Sequence, residues 1–263
     1  PDSPDPFHPS FTGGRQERAW IREALGGFYV DEWFTDVLFR VKGGKEATVY
    51  GCRAHPATGL DLIAAKVFRP RIFRAMKNDS LYKTARLIQS GEGKYPDSRT
   101  ARALKKRTAY GRRLDAAQWC RWEYDTLATL YEAGADVPRP LIGSENAILM
   151  EFVGDETGAA PILSSLRLDL AEARRVFDRL LVNVAILLER FVVHADLSAY
   201  NVLYDEGEVR LIDFPQTVDA LTHPRAYELF VRDVDRLCRY FQRQGLEVDP
   251  DATARDLWSA AVG

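Results

Sequence analysis

Cysteine, histidine and methionine are all scarce here: three Cys, four His and two Met among 263 residues. Cys52, Cys120 and Cys238 lie far apart and form no CxxC pair. That pattern argues against a disulfide framework or a zinc site, and it fits reduced thiols in a cytoplasm. His8, His55, His194 and His223 are scattered, which argues against a histidine-ligated metal centre. Long apolar runs are missing too. The longest, LLVNVAILL at 180–188, is too short to span a bilayer and contains Asn183. No signal peptide pattern is visible. The formal net charge is only −2, so no global electrostatic partner is implied. The expectation is a cytoplasmic globular protein with no membrane partner, long enough for one large domain or two lobes around a cleft. Composition leaves the oligomeric state open.

What is present is organised in two halves. Residues 17–25 (ERAWIREAL) have helical spacing and run into Gly26-Gly27. Three strands are expected at 36–41, 47–54 and 60–69, joined by KGGK and HPATG turns as an antiparallel meander. A helix is expected at 116–133, a buried strand at 147–154, and further helices at 169–191 and 225–243. The fold class read from this order is α+β. A sheet-rich lobe with one main helix precedes a mostly helical lobe, joined near Glu151–Gly154. The expected organisation is an N-terminal extension with a short helix (1–35), an N-lobe (36–153) and a C-lobe (154–263).

The densest chemistry lies in HADLSAYNVLYDEGEVRLIDF, residues 194–214. Two apolar runs flank the turn DEGE, so the segment reads as a hairpin with polar groups at its edges. Phosphoryl transfer needs a cation for the donor phosphates, a bridging metal ion and a carboxylate to orient the nucleophile. Asn201 and Asp213 offer the oxygen ligands that suit Mg²⁺. Asp196, five residues before Asn201, can accept the proton of an attacking hydroxyl. HxDxxxxN followed by a strand and a second aspartate is a kinase catalytic-loop pattern. His194 itself reads as a packed loop residue.

Two anomalies elsewhere complete the set. Lys66 lies inside the apolar strand AAKVF, where an ammonium requires a counter-charge or loses its proton. Glu123 shares a helix face with Trp119, Leu127 and Leu130, at i, i+4, i+8 and i+11 from Trp119. Pairing Lys66 with Glu123 resolves both and aims the lysine at phosphate.

At this point the chain resembles the RIO family of atypical serine/threonine protein kinases. The resemblance is carried by KGGKEATVYGC (42–52), AAKVF (64–68), RWEYDTLATLYEAGADVPRPL (121–141), ILMEFVG (148–154), HADLSAYNVLY (194–204) and LIDFPQTVDALTHPRAYELFVRDV (211–234). It implies a two-lobed protein-kinase-like fold with ATP and Mg²⁺ as cofactors and Mn²⁺ as an alternative ion. It implies Asp196 as catalytic base, Asn201 and Asp213 as metal ligands, and Lys66 with Glu123 as the phosphate clamp. Backbone groups of Glu151 and Val153 would meet the adenine behind Met150. KGGKEA replaces a glycine-rich loop, which puts Lys45 and Glu46 among the ATP-binding residues. In this family the metal-binding aspartate, here Asp213, can itself accept phosphate, which gives it a catalytic role as well. The chain departs from ordinary protein kinases: Phe-Pro follows Asp213, Ser198 stands where they place a catalytic-loop lysine, and no APE motif follows. Ala195 stands where glycine is usual. The winged-helix domain of one RIO branch is not expected ahead of the first strand.

Residues 71–113 hold thirteen Lys/Arg and three Asp/Glu, a local charge of +10. They occupy the place where the family carries a flexible loop. Two readings stand: an electrostatic contact with ribosomal RNA or a pre-ribosomal particle, or a solvated loop with no dedicated partner. For the whole chain the expected function is a RIO-type kinase or ATPase with autophosphorylation and slow ATP hydrolysis. The alternative is a small-molecule phosphotransferase of the aminoglycoside or choline kinase type, which shares HxDxxxxN and the later aspartate.

Overall fold

The computed structural model describes residues 7–44, 47–68 and 109–262. These fall into two compact units. The first holds the residues up to Phe68, the early part of the long helix through Tyr124, and Arg139–Ala159. The second holds Asp125–Pro138 and everything from Ala160 onward. Among the described residues there are five α-helices.

The first unit is built on a five-stranded antiparallel sheet. Its strands are β1 (Phe34–Gly43), β2 (Ala47–Ala54), β3 (Leu62–Phe68), β4 (Pro140–Gly143) and β5 (Ala147–Glu151), in the order β1-β2-β3-β5-β4. Side chains alternate across β3. Ile63, Ala65 and Val67 face one core, shared with Ile21, Leu25 and Phe28 of α1 (Arg15–Val30). On the opposite face Phe68 packs with Ala47, Ile148 and Cys120 of α2 (Ala109–Glu132). Helix α1 continues past Gly26-Gly27, where the sequence suggested an end. Phe28 beyond them is only 5 % exposed and lies in the sheet core, and that packing outweighs the weak helix propensity of two glycines. Tyr50 Oη donates to Glu17 Oε1 at 2.8 Å and ties α1 to the sheet.

Gly51 is a second point where packing dictates the residue. A Cβ there would lie 2.5 Å from the ring of Phe39. Phe39 in turn meets Phe152 edge-on, with ring centroids 5.8 Å apart, just past the end of β5.

In the second unit, α3 (Leu170–Glu189) starts at Asp169, whose carboxylate accepts from the Glu172 amide at 2.8 Å. Short strands follow: β8 (Val192–Val193), paired with β11 (Val218–Asp219), and the hairpin β9 (Val202–Asp205) and β10 (Glu208–Leu211). In sequence before these, β6 (Gly154–Asp155) and β7 (Gly158–Ala159) pair with one another within the first unit. Glu206 and Gly207 at the hairpin tip both have positive φ, 46° and 96°, as a two-residue turn of this hand requires. Helices α4 (Ala226–Arg243) and α5 (Pro250–Ala261) complete the unit, with Trp258 packed on Phe230 at 5.3 Å between centroids. All three cysteines are buried. Burial raises the Cys52 and Cys120 thiols far above their usual range, and it pushes Cys238 up to about 11. No helix among the described residues is long and apolar enough to cross a membrane.

Candidate active site

In the first unit Lys66 lies on β3, the central strand of the sheet, opposite Val49 on β2 and Ile148 on β5. Alternation puts it on the α2 side with Phe68. Its side chain is 9 % exposed and that of Glu123 4 %, and Nζ lies 2.5 Å from Oε1. The ring of Phe68 is 5.6 Å from Nζ. The other members of the Glu123 stripe, Trp119, Leu127 and Leu130, are buried as their spacing implied.

At the end of β5 the Glu151 amide donates to the Arg139 carbonyl at 2.8 Å, and its carboxylate accepts from the Arg139 amide at 3.0 Å. The strand stops there. Among the described residues the Val153 amide makes no backbone hydrogen bond, so a donor is available two residues beyond Glu151. Met150 is half-buried beside Ala64. Lys45 and Glu46 lie outside the described residues, as does 71–108 of the basic segment.

In the second unit the hairpin brings its polar residues to one end. Asn201 closes a short 3₁₀ turn (Ala199–Asn201) in which Ser198 Oγ accepts from the Tyr200 amide. It is 6 % exposed, and its Nδ2 donates to the Asp196 carbonyl at 2.9 Å. With the nitrogen so engaged, the side-chain oxygen is the end left to ligate. The Ile212 amide donates to the Asn201 carbonyl at 3.0 Å, which fixes the residue next to Asp213. Asp213 has φ +74° and Ala195 φ +61°. Both lie in the left-handed region, a strained choice for non-glycine residues. Ala195 thus holds a backbone conformation that favours glycine. Its carbonyl accepts a hydrogen bond from Arg232.

His194 is buried. Nε2 lies 3.3 Å from the Ile212 carbonyl, which makes it the protonated nitrogen, and the ring leans on Phe214. Burial lowers its pKa more than Asp213, the Ile212 hydrogen bond and Asp196 raise it, so the ring is neutral. Asp196 is exposed, and its Oδ1 lies 2.9 Å from Arg236 Nη1 on α4.

Three supports escaped the sequence reading. Asp233 on α4 is 2 % exposed, and burial pushes its carboxyl up to about 7. Arg232, 3.8 Å away, and the Leu197 and Ala195 amides pull it partly back, though neither carboxylate oxygen has a partner in full hydrogen-bonding geometry. Asn183, fully buried in α3, accepts from the Asp136 amide at 2.6 Å and donates to its carboxylate at 2.7 Å. Burial raises the Asp136 carboxyl, but hydrogen bonds from Arg179 and Asn183 more than reverse this and hold it below the usual range. The Asp136 carbonyl accepts from the Leu211 amide at 2.8 Å, so this network anchors the strand leading to Asp213. The sequence signal for it was the lone amide in LLVNVAILL. Arg236 had no signal at all.

Asn201 and Asp213 are hard oxygen donors. Among the described residues no group of three or more His, Cys, Asp or Glu could enclose a metal. This donor set suits a cation that takes one or two protein ligands and completes its shell with phosphate and water, as Mg²⁺ does.

A family model described as the RIO domain matches residues 71–254. The RIO-type serine/threonine-protein kinase Rio1 of Thermoplasma acidophilum is 35% identical over 133 residues, covering 51% of this chain and 68% of that protein. The serine/threonine-protein kinase RIO1 of Chaetomium thermophilum is 29% identical over 244 residues, covering 87% of this chain, which spans 44% of that relative's length. Among solved structures, the Rio2 kinase–ADP/Mg²⁺–phosphoaspartate complex from Chaetomium thermophilum matches with TM-score 0.66 and 20% identity, over 92% of this chain and 66% of that one. That likeness shows a shared kinase-like fold.

Proposed function

The chain belongs to the RIO family of atypical serine/threonine protein kinases, and from that premise we propose that it transfers the γ-phosphoryl group of ATP slowly, to a polypeptide acceptor, itself included, or to water. The observation that carries this is the end of the hairpin. There the Asn201 amide is held by the Asp196 backbone, with its oxygen left for a cation beside the strained Asp213. Mg²⁺ bound by Asn201 and Asp213 would neutralise charge on the phosphates; Mn²⁺ has the same ligand preference. Lys66, fixed by Glu123, would hold donor phosphate. The Glu151 carbonyl and Val153 amide would meet the adenine edge.

In the transfer, an attacking hydroxyl oxygen forms a bond to the γ-phosphorus as the bond to the β-phosphate oxygen breaks. ADP leaves, and the hydroxyl proton passes to the Asp196 carboxylate. The Rio2 relative was solved with a phosphoaspartate. By that likeness Asp213 would accept phosphate as an acyl phosphate, which water then hydrolyses. Relatives named serine/threonine-protein kinases favour this reading over a small-molecule phosphotransferase. The +10 segment at 71–113 would contact ribosomal or pre-ribosomal RNA, supported by its charge.

Calorimetric titration of ATP with and without Mg²⁺ tests the core of the proposal. Mg²⁺ should tighten ATP binding to the natural chain and not to Asp213→Ala. Equal affinity of both proteins for ATP with Mg²⁺ would refute it.

A further inference from the structure

The second unit contains a cleft of about 640 Å³ whose lining includes Asp196, Ser198, Arg167, Arg236, Arg239 and Arg243. Three of these arginines stand at i, i+3 and i+7 on one face of α4, about 10 Å from first to last. The walls are fastened to each other. Tyr240, buried in α4, donates to the Leu163 carbonyl at 2.8 Å. Gln244 accepts from the Leu168 amide at 3.3 Å. The segment bearing Arg167 is thereby held against the helix. Arg239 is paired with Asp235 at 2.7 Å and Arg236 with Asp196 at 2.9 Å. Arg167 and Arg243 are exposed and make no ion pair among the described residues. A preformed concave site thus gathers four guanidinium groups around one catalytic-loop carboxylate, in a chain whose net charge is −2.

We infer that this cleft is the acceptor site, and that it recognises an acidic polypeptide segment carrying the hydroxyl to be phosphorylated. The inference rests on the kinase reading above and names its substrate class. An acceptor hydroxyl at Asp196 would start an extended segment rising about 3.3 Å per residue. The 10 Å arginine row then meets carboxylates two to four residues from the acceptor, on one side of it. Guanidinium groups bind carboxylates as paired forks, which favours Asp or Glu there. The same carboxylates offer Arg236 another partner, so that Asp196 Oδ1 is released to meet the hydroxyl. Arg236 is in this sense a positioning residue coupling acceptor binding to the base.

The test uses the full chain and two serine peptides. One carries Asp or Glu two to four residues from the serine, on either side in separate versions; the other carries alanine there. Binding is followed by fluorescence anisotropy without nucleotide, and labelling with ATP and Mg²⁺. The acidic peptide should bind about tenfold tighter than the alanine peptide, the size of one or two charge-assisted hydrogen bonds. That preference should collapse in Arg239→Gln/Arg243→Gln and be only partly kept in Arg239→Lys/Arg243→Lys, which retains the charge but not the fork. Equal binding of the two peptides by the natural chain would overturn the inference even if ATP turnover were normal. Tight acidic-peptide binding without any ATP turnover would instead keep the binding site and remove the kinase reading. Displacement of the acidic peptide by a short oligouridylate that binds more tightly, and depends on the same arginines, would assign the cleft to nucleic acid and overturn the inference.

Discussion

Lys66 and Glu123 meet at 2.5 Å inside the first unit, although 57 residues separate them in the chain. Each justifies the burial of the other, and removing one takes the closest counter-charge from a buried ion. Lys66→Met and Glu123→Leu should each destabilise the fold by about 3–5 kcal/mol. The double variant should recover most of that loss yet bind ATP weakly. Denaturant melts with ATP titration check both parts; additive losses in the double variant would contradict the pairing.

Ala195 is 3 % exposed and holds φ +61° directly before Asp196. Left-handed backbone costs an L-residue about 1–2 kcal/mol, and a β-branched side chain tolerates it worse. Ala195→Val should therefore destabilise by at least about 2 kcal/mol and slow turnover. Ala195→Gly should stay within about 1 kcal/mol of the natural chain, since relief of strain offsets lost methyl burial and greater unfolded-state freedom. A well-folded, fully active Ala195→Val would show that the loop adopts another conformation.

Asp233 gives a pH dependence of defined sign. Its folded pKa, about 7, lies above the ordinary carboxylate value of 3.8 because burial disfavours the charge. The unfolded chain thus releases this proton first, and stability is lost as pH rises from about 4 to about 7. Asp233→Asn cannot titrate. The stability of the natural chain relative to this variant should fall by about 3 kcal/mol between pH 5 and pH 8. The comparison cancels the opposite trend from buried His194, whose lowered pKa erodes stability at acid pH. Parallel stability curves for the two proteins would show that Asp233 ionises freely.

Asp196→Asn keeps the shape of the proposed base and removes its basicity. ATP should still bind, while turnover drops by about 10² to 10⁴. Labelled phosphate retained by the natural chain should be released by hydroxylamine if it sits on Asp213 as an acyl phosphate. Label that resists hydroxylamine would move the acceptor to a serine or threonine.

The parts of this site that chemistry demands at short range were legible in the sequence. Asp196 and Asn201 lie just before one hairpin and Asp213 just after it, and its turn residues announced the strands on either side. Lys66 and Glu123 were legible for another reason, since each is a charge in an apolar pattern and the two require each other. Illegible were residues whose role exists only after packing. Arg236 looks like any solvent-facing arginine of a helix until it lies against Asp196. Asp233 in RDVDRL stands among charges that are exposed or half-buried, and only tertiary burial singles it out. Helix α1 outran its glycines because the core beyond them supplied what propensity lacked.

The three buried thiols have a practical consequence. With Cys52, Cys120 and Cys238 enclosed and held protonated at neutral pH, the natural chain presents little thiolate to an alkylating dye. A cysteine introduced at an exposed position such as Arg167 would be the dominant reactive handle, with no native cysteine replaced. An environment-sensitive fluorophore attached there would stand at the mouth of the arginine cleft and report its filling in real time.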